Sequence, residues 1–180
     1  IFSDTVNRAM PQHQRELGLS VRQSNLCSEI MLHTGKDHLG QERTAVCCLS
    51  SVNAEKFMEW RDHPTFVEDV MRFLDNVLQD FIDRAPPAME AATYAALRER
   101  SVGLGLMGFH SFLQAQNVPF ESALAKSWNM RLFKHLRREA DKASRILAEE
   151  RGPCPDAAEK GVMERFSHKL AIAPTASISI

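Results

Sequence analysis

The sequence predicts an α/β protein. Two short apolar runs, residues 44–51 and 169–173, read as buried strands. The stretches between them carry helical periodicity and are long enough to be crossover connections. No repeat, low-complexity stretch or linker splits residues 1–180, so the chain reads as part of one domain.

The elements follow in order. Residues 1–20 are polar and mixed, broken by Pro11 and Gly18, with a short helix expected over 4–10. Residues 21–32 hold an unusual polar motif, and residues 34–40 read as a polar loop. The run 44–51, with Val46, Cys47, Cys48 and Leu49, suits a strand of a parallel sheet. Residues 64–84 give the clearest helix. Phe66, Val67, Val70, Phe73, Leu74, Val77, Leu78 and Phe81 recur at three- and four-residue spacing, with Asp69, Asp75, Asp80 and Asp83 mainly opposite. Pro64 suits its first turn, and Pro86-Pro87 closes it.

A second helix is expected over 89–100. Gly103, Gly105 and Gly108 then lead into an apolar helix ending near residue 116. These glycines match GxGxxG but follow a helix end rather than a strand, so close helix packing is the expected use. A long helix over 121–151 buries Leu124, Trp128, Leu132, Leu136, Ala140, Ala143 and Leu147 and stops at Gly152-Pro153. The strand 169–173 then runs into a loop at 174–177. So few strands do not close a domain, which suggests a piece of a larger barrel or sheet.

Composition narrows the function. The 22 Lys and Arg nearly balance 23 Asp and Glu, leaving no electrostatic footprint for nucleic acid or an anionic membrane. No apolar run approaches a membrane span, and Ile1-Phe2-Ser3-Asp4 does not resemble a signal peptide, so a cytoplasmic protein is expected. The chain lacks an initial Met and ends on Ile178-Ser179-Ile180, which reads as a segment of something longer. The four cysteines, Cys27, Cys47, Cys48 and Cys154, suit reduced thiols. A zinc site from Cys27, His33, His38 and Cys47 or Cys48 matches no common ligand spacing, so no metal is expected. The histidines pair with no serine or aspartate in a hydrolase pattern.

Two segments carry chemistry. Asn25, Cys27 and Glu29 stand at alternate positions, which in an extended backbone project to one side. A thiol for hydrogen-atom transfer, a carboxylate base and an amide anchor together suit redox chemistry at a hydroxyl-bearing carbon. The same pentapeptide also suits a structural cysteine in a core. At the end of the last strand, Thr175 and Ser177 offer hydroxyls and the loop offers amides, which suits phosphate or an ordinary turn.

Several motifs in order resemble the large subunit of ribonucleotide reductase. Residues 22–30, with Asn25-Leu26-Cys27-Ser28-Glu29, resemble its active-site finger loop. Residues 45–50 resemble the strand bearing one redox cysteine, and 173–177 resemble the substrate-phosphate loop. The stretch 100–109 and the turn at Gly152-Pro153-Cys154 are similar to intervening segments. The asparagine-x-cysteine-x-glutamate form points to class I, closest to bacterial members.

The resemblance implies residues 1–180 as the central part of a ten-stranded α/β barrel with long outer helices. The finger loop falls at about 21–32 and the phosphate loop at about 173–178. It implies Cys27 as the thiyl radical, Glu29 as the base for the 3′-hydroxyl and Asn25 as the ribose anchor. Cys47 becomes one of two reducing thiols, and Thr175, Ala176 and Ser177 hold substrate phosphate. The implied reaction reduces ribonucleoside diphosphates, with thioredoxin or glutaredoxin as reductant and a radical from a dinuclear-metal small subunit. The large subunit is implied to be a homodimer. The second redox cysteine, the ATP and dNTP effector sites, the relay tyrosines and the tail cysteines are implied to lie outside these residues. The expectation is therefore that the 180-residue chain does not turn over alone. The alternatives are a fragment with only an assembly role and a small zinc module.

Overall fold

The computed structural model describes residues 1–177. Two short helices, α1 (Ser3–Ala9) and α2 (Gln12–Glu16), precede a long irregular loop. A hairpin of β1 (Gly35–Lys36) and β2 (Glu42–Arg43) follows, with antiparallel register Gly35 to Arg43. Then come β3 (Leu49–Asn53), α3 (Phe57–Trp60), α4 (Phe66–Arg84) and α5 (Glu90–Glu99). The chain continues through β4 (Gly103–Met107), α6 (Phe109–Ala115), α7 (Ala123–Arg151) and α8 (Pro155–Ala158).

The α/β class is correct, and the strands sit differently than expected. The run 44–51 becomes a strand only from Leu49, so Cys47 and Cys48 precede β3. The glycine stretch is not helix packing: Gly103–Met107 is β4, parallel to β3 with Leu49 opposite Gly103 and Asn53 opposite Met107. Gly105 is needed because a Cβ there would lie 2.5 Å from the Ala171 carbonyl oxygen and 3.0 Å from Ser51 Oγ. The glycines thus serve close approach of three backbone segments. The expected strand 169–173 is reduced to one parallel bridge, Leu170 to Leu104. Leu104 N–H donates to Lys169 O at 2.8 Å, and Ala171 N–H donates to Leu104 O at 3.2 Å. Among the described residues the sheet has β4 at its centre and does not close into a barrel.

Helices α4 and α7 pack together, and α4 also touches β3. In α7, Leu132, Leu136, Ala140, Ala143 and Leu147 are fully buried, as their spacing predicts. Leu124 is the exception, half exposed in the first turn. Ser122 caps this helix by accepting from Ala125 N–H at 3.1 Å, and Gly152 ends it at φ 84°. In α4 the buried face is Val67, Met71, Leu74 and Leu78, while Phe73 and Val77 point outward. Asp75, expected outside, is fully buried because it lies four residues from Met71 on the inner face.

Asp75 is tolerated there because three guanidinium groups meet it. Arg100 donates to Oδ1 at 2.7 and 2.9 Å, Arg165 at 3.0 Å, and Arg151 donates to Oδ2 at 2.7 Å. Burial alone would raise this carboxyl, and the arginines outweigh it and hold its pKa below the ordinary value. Arg100 also turns the chain from α5 into β4, at φ 42°. A second, smaller apolar cluster of Met10, Leu17, Leu19 and Val21 lies apart from the main core, under the loop that begins at residue 20.

Candidate functional site

The loop at 21–32 is not extended. Leu26 and Cys27 form a turn, and Ser28 has a left-handed backbone at φ 67°. Asn25 closes the turn from both its backbone and its side chain. Asn25 N–H donates to Ile30 O at 3.4 Å, Ser28 N–H donates to Asn25 O at 3.1 Å, and Asn25 Oδ1 accepts from Ile30 N–H at 3.0 Å. Alternation along a strand therefore does not orient Asn25, Cys27 and Glu29; a folded tip does. Cys27 is exposed at that tip beside the fully exposed Leu26. Glu29 is partly buried, and its Oε2 is buried with no hydrogen-bond partner among the described residues.

Cys47 and Cys48 face opposite ways. Cys47 is exposed and lines a cleft of about 470 Å³ together with Asn25, Thr44 and Arg43. The walls of the cleft thin its hydration and push its thiol pKa up, and negative charge at Glu29 and Cys27 adds to the rise. Glu29, Cys27 and a thiol about twenty positions away thus share one electrostatic neighbourhood. Cys48 is buried, and its Sγ–H donates to Leu74 O at 3.7 Å. Burial pushes Cys48 up to about 11, and Cys154 is likewise buried and raised. Of the adjacent pair, Cys47 lines this cleft, and Cys48 lines a neighbouring one.

Glu29 also lines a second, mostly apolar cleft of about 330 Å³ with Ser101, Gly103, His168 and Ala171. His168 is held neutral there: burial lowers its pKa to about 4, and the charges of His13 and Lys169 act in the same direction. Ser101 Oγ lies 2.9 Å from His168 Nδ1. The chain then runs from Ala171 to the last loop. Thr175 is partly buried with φ 58°, while Ala176 and Ser177 are exposed in a turn. Of the expected phosphate loop at about 173–178, residue 178 lies outside the described residues.

Sequence reasoning missed the charged framework behind the first cleft. Arg43 is fully buried and donates to Asp156 at 2.6 and 2.9 Å and to Asp37 at 2.9 Å. Burial would raise Asp37, but bonds from Arg43, Tyr94, Leu39 and Gln41 outweigh it and lower its pKa to about 2. Arg98 donates to Asp156 at 2.9 Å and to Glu159, which also meets His38. No local pattern announces this network, because its members are spread from residue 37 to 159. His38 is thereby a hydrogen-bond partner of Glu159, and His33 contacts Ser20 instead. Among the described residues, no three His, Cys, Asp or Glu side chains group as a metal site, so the imagined zinc set does not assemble. No helix among the described residues is long and apolar enough to cross a membrane.

Comparison with known proteins adds to this geometry. A family model described as "Ribonucleotide reductase, barrel domain" matches residues 1–163. The ribonucleoside-diphosphate reductase large subunit of Invertebrate iridescent virus 3 is 48% identical over 98% of this chain and 27% of its own length. A putative large subunit of Frog virus 3 is 44% identical, over 99% of this chain and 31% of its own. The solved class Id ribonucleotide reductase alpha subunit of Actinobacillus ureae superposes with a TM-score of 0.90 at 37% identity. It covers 99% of this chain and 33% of that one. The chain thus spans about a third or less of the length of these relatives.

Proposed function

The chain belongs to the ribonucleotide reductase family, within its large-subunit barrel domain, and on that premise we propose that it carries the finger-loop part of ribonucleoside-diphosphate reduction. The observation that carries the reading is the meeting of Asn25 and Cys47 on one cleft, with Glu29 and Cys27 acting on the same thiol.

In this reading Cys27, at the loop tip, takes the 3′ hydrogen of the ribose as a thiyl radical. Glu29 receives the 3′-hydroxyl proton, and its unpartnered Oε2 is free to do so. Asn25 spends its Oδ1 on Ile30, which leaves the Nδ2 hydrogens for ribose oxygens. Loss of the 2′ oxygen as water is completed by electrons from Cys47 and a second thiol outside these residues. The raised pKa of Cys47 keeps it protonated, so it can give a hydrogen. Thr175, Ala176 and Ser177 hold the diphosphate through hydroxyls and amides. A radical-generating small subunit with a dinuclear metal supplies the oxidising equivalent. Thioredoxin or glutaredoxin re-reduces the disulfide, and the complete large subunit acts as a homodimer in the cytoplasm.

The ten-stranded barrel belongs to the same proposal, with β3, β4 and the Leu170 bridge as adjoining staves. The test uses a complete large subunit with these 180 residues as its central segment. Cys27→Ser is expected to reduce turnover to background, and Cys47→Ser to stop multiple turnovers. Turnover that survives Cys27→Ser would sink the catalytic reading and leave the assembly role.

A further inference from the structure

We propose that Asn7 and His33 are positioning residues that pin the stem of the 21–32 loop and thereby hold in place the tip that carries Cys27. The purpose assigned to that placement rests on the reductase reading; the pin itself does not.

The loop tip has little to hold it. Leu26 is fully exposed, Cys27 and Ser28 are exposed, and the Asn25–Ile30 bonds close the tip only on itself. The position of the tip must be set at the stem, where the chain enters through Ser20-Val21 and leaves through Leu32-His33. The apolar support there is the small cluster of Met10, Leu17, Leu19 and Val21, with Val6 and Met31 against it. Apolar contact is non-directional and tolerates sliding.

Directional bonds fix what that cluster does not. Asn7 Nδ2 donates to Val21 O at 3.0 Å, and Val21 N–H donates to Asn7 Oδ1 at 2.8 Å. One side-chain amide thus exchanges both bonds with one backbone residue, as a hydrogen-bonded pair does across antiparallel strands. The same Nδ2 also donates to Ser3 O at 2.7 Å, so the amide is fixed within α1. One residue earlier, His33 Nδ1 lies 3.1 Å from Ser20 N and 2.8 Å from Ser20 O. It accepts from the amide in one tautomer and donates to the carbonyl in the other. His33 is 2% exposed, and its Nε2 has no hydrogen-bond partner among the described residues, so Ser20 is its one observed polar tie. One pin joins the stem to α1, and the other joins its two legs. Together they fix residues 20 and 21 along and across the chain direction. A misplacement of about 1 Å at reacting atoms can lower a rate about a hundredfold, so a stem six residues from Cys27 has leverage.

The test uses the complete large subunit with its cysteines outside these residues replaced by serine; within these residues Cys27 and Cys47 are exposed probes, while Cys48 and Cys154 are buried. Nitroxides on Cys27 and Cys47 report the spread of their separation by electron paramagnetic resonance. Asn7→Leu keeps the size and removes both bonds; Asn7→Asp keeps the acceptor for Val21 N–H and loses the donor. The expected result is a narrow separation in the parent, a broad one in Asn7→Leu and an intermediate one in Asn7→Asp. Val21 amide exchange rises roughly tenfold or more in Asn7→Leu, stays near the parent rate in Asn7→Asp, and amides of α4 and α7 do not change. His33→Leu gives the same broadening through Ser20. In the complete subunit, Asn7→Leu lowers kcat with KM retained.

Superposable separations in parent and Asn7→Leu would overturn the proposal, as would broadening that appears only with faster exchange in α4 and α7. If Asn7→Leu does not fold, Asn7→Asp decides, and an unbroadened separation there overturns it. Separation and exchange involve no nucleotide. Failure of the reductase reading appears elsewhere, as turnover that survives Cys27→Ser.

Discussion

Cys47 and Cys48 are chemically identical neighbours placed in opposite surroundings, and the difference is measurable. Cys48 donates to Leu74 O inside the core and is raised to about 11, while Cys47 opens on the cleft with Asn25. A thiol-directed reagent is expected to modify Cys27 and Cys47 in the folded protein and to spare Cys48 and Cys154 until denaturant is added. Peptide mass mapping reads the outcome, and early modification of Cys48 would contradict the burial. Because the pKa of Cys47 is raised, its alkylation should climb with pH beyond the ordinary thiol range. Asp75 gives the second prediction at this scale. It is the shared carboxylate for Arg100, Arg151 and Arg165, so Asp75→Asn leaves buried cations without their counter-charge. Loss of about 3–5 kcal/mol is expected in urea unfolding. A change of less than about 1 kcal/mol would show that the arginines find other partners, as Arg165 already does at the carbonyls of Arg151 and Gly152. The sequence preferred Cys47 only through its place in a family-like motif. The burial of Asp75 was not legible, because a helix carries one inward carboxylate without disturbing its apolar period.

At the scale of elements, α4 and α7 were legible because each repeats its apolar positions over many turns. β4 was not, because glycines carry no alternation to read, and its role follows from contacts with Ala171 and Ser51. Gly105→Ala is therefore expected to destabilise by about 1–3 kcal/mol, measured by thermal unfolding, since its Cβ would press on backbone oxygen. Helix α2 shows how an unpredicted element docks: His13 Nε2 lies 2.9 Å from Ser167 Oγ, and Gln14 Nε2 donates to Glu99 Oε2 at 3.1 Å. Glu99 is buried, and that burial raises its pKa to about 7 despite opposing bonds from Gln14 and Ser101. Gln14 Oε1 has no hydrogen-bond partner among the described residues. The folded state holds this proton more tightly than the unfolded chain, whose carboxyl releases it near the ordinary value of 4.5. Stability from this group is therefore full below about pH 4.5, falls as pH rises to about 7, and is level above that. The fall amounts to about 3 kcal/mol. Glu99→Gln should flatten it in melting curves taken across that window, and an unchanged slope would assign the pH dependence to other groups.

For the whole molecule, the site was legible in part and for a reason that local geometry did not supply. Asn25, Cys27 and Glu29 were grouped by alternation, yet the loop turns at Leu26 and Cys27; Asn25 lines the first cleft and Glu29 the second, and a shared role is what several motifs in family order imply. A barrel is implied only by that resemblance, since the described residues hold the β1–β2 hairpin, the β3–β4 pair and a single bridge. Among the described residues, β4 is covered on both sides, while β3 pairs with β4 alone and leaves its other edge open. Phe73 on α4 is 61% exposed, Met130 on α7 is 64% exposed and Phe120, in the turn before α7, is 61% exposed, in a segment that in the relatives belongs to chains three or four times longer. An open strand edge beside apolar helix faces favours self-association. The 180-residue chain alone is therefore expected to bind a dye for exposed apolar surface and to form concentration-dependent oligomers in sedimentation. The same residues within the complete large subunit should do neither to the same degree. A sharply melting monomer that binds no dye at high concentration would mean that the core around α4, α7 and β4 is sufficient, with the outer faces tolerated by water. In that case the family's remaining segments contribute the reaction's missing groups rather than the stability of this one.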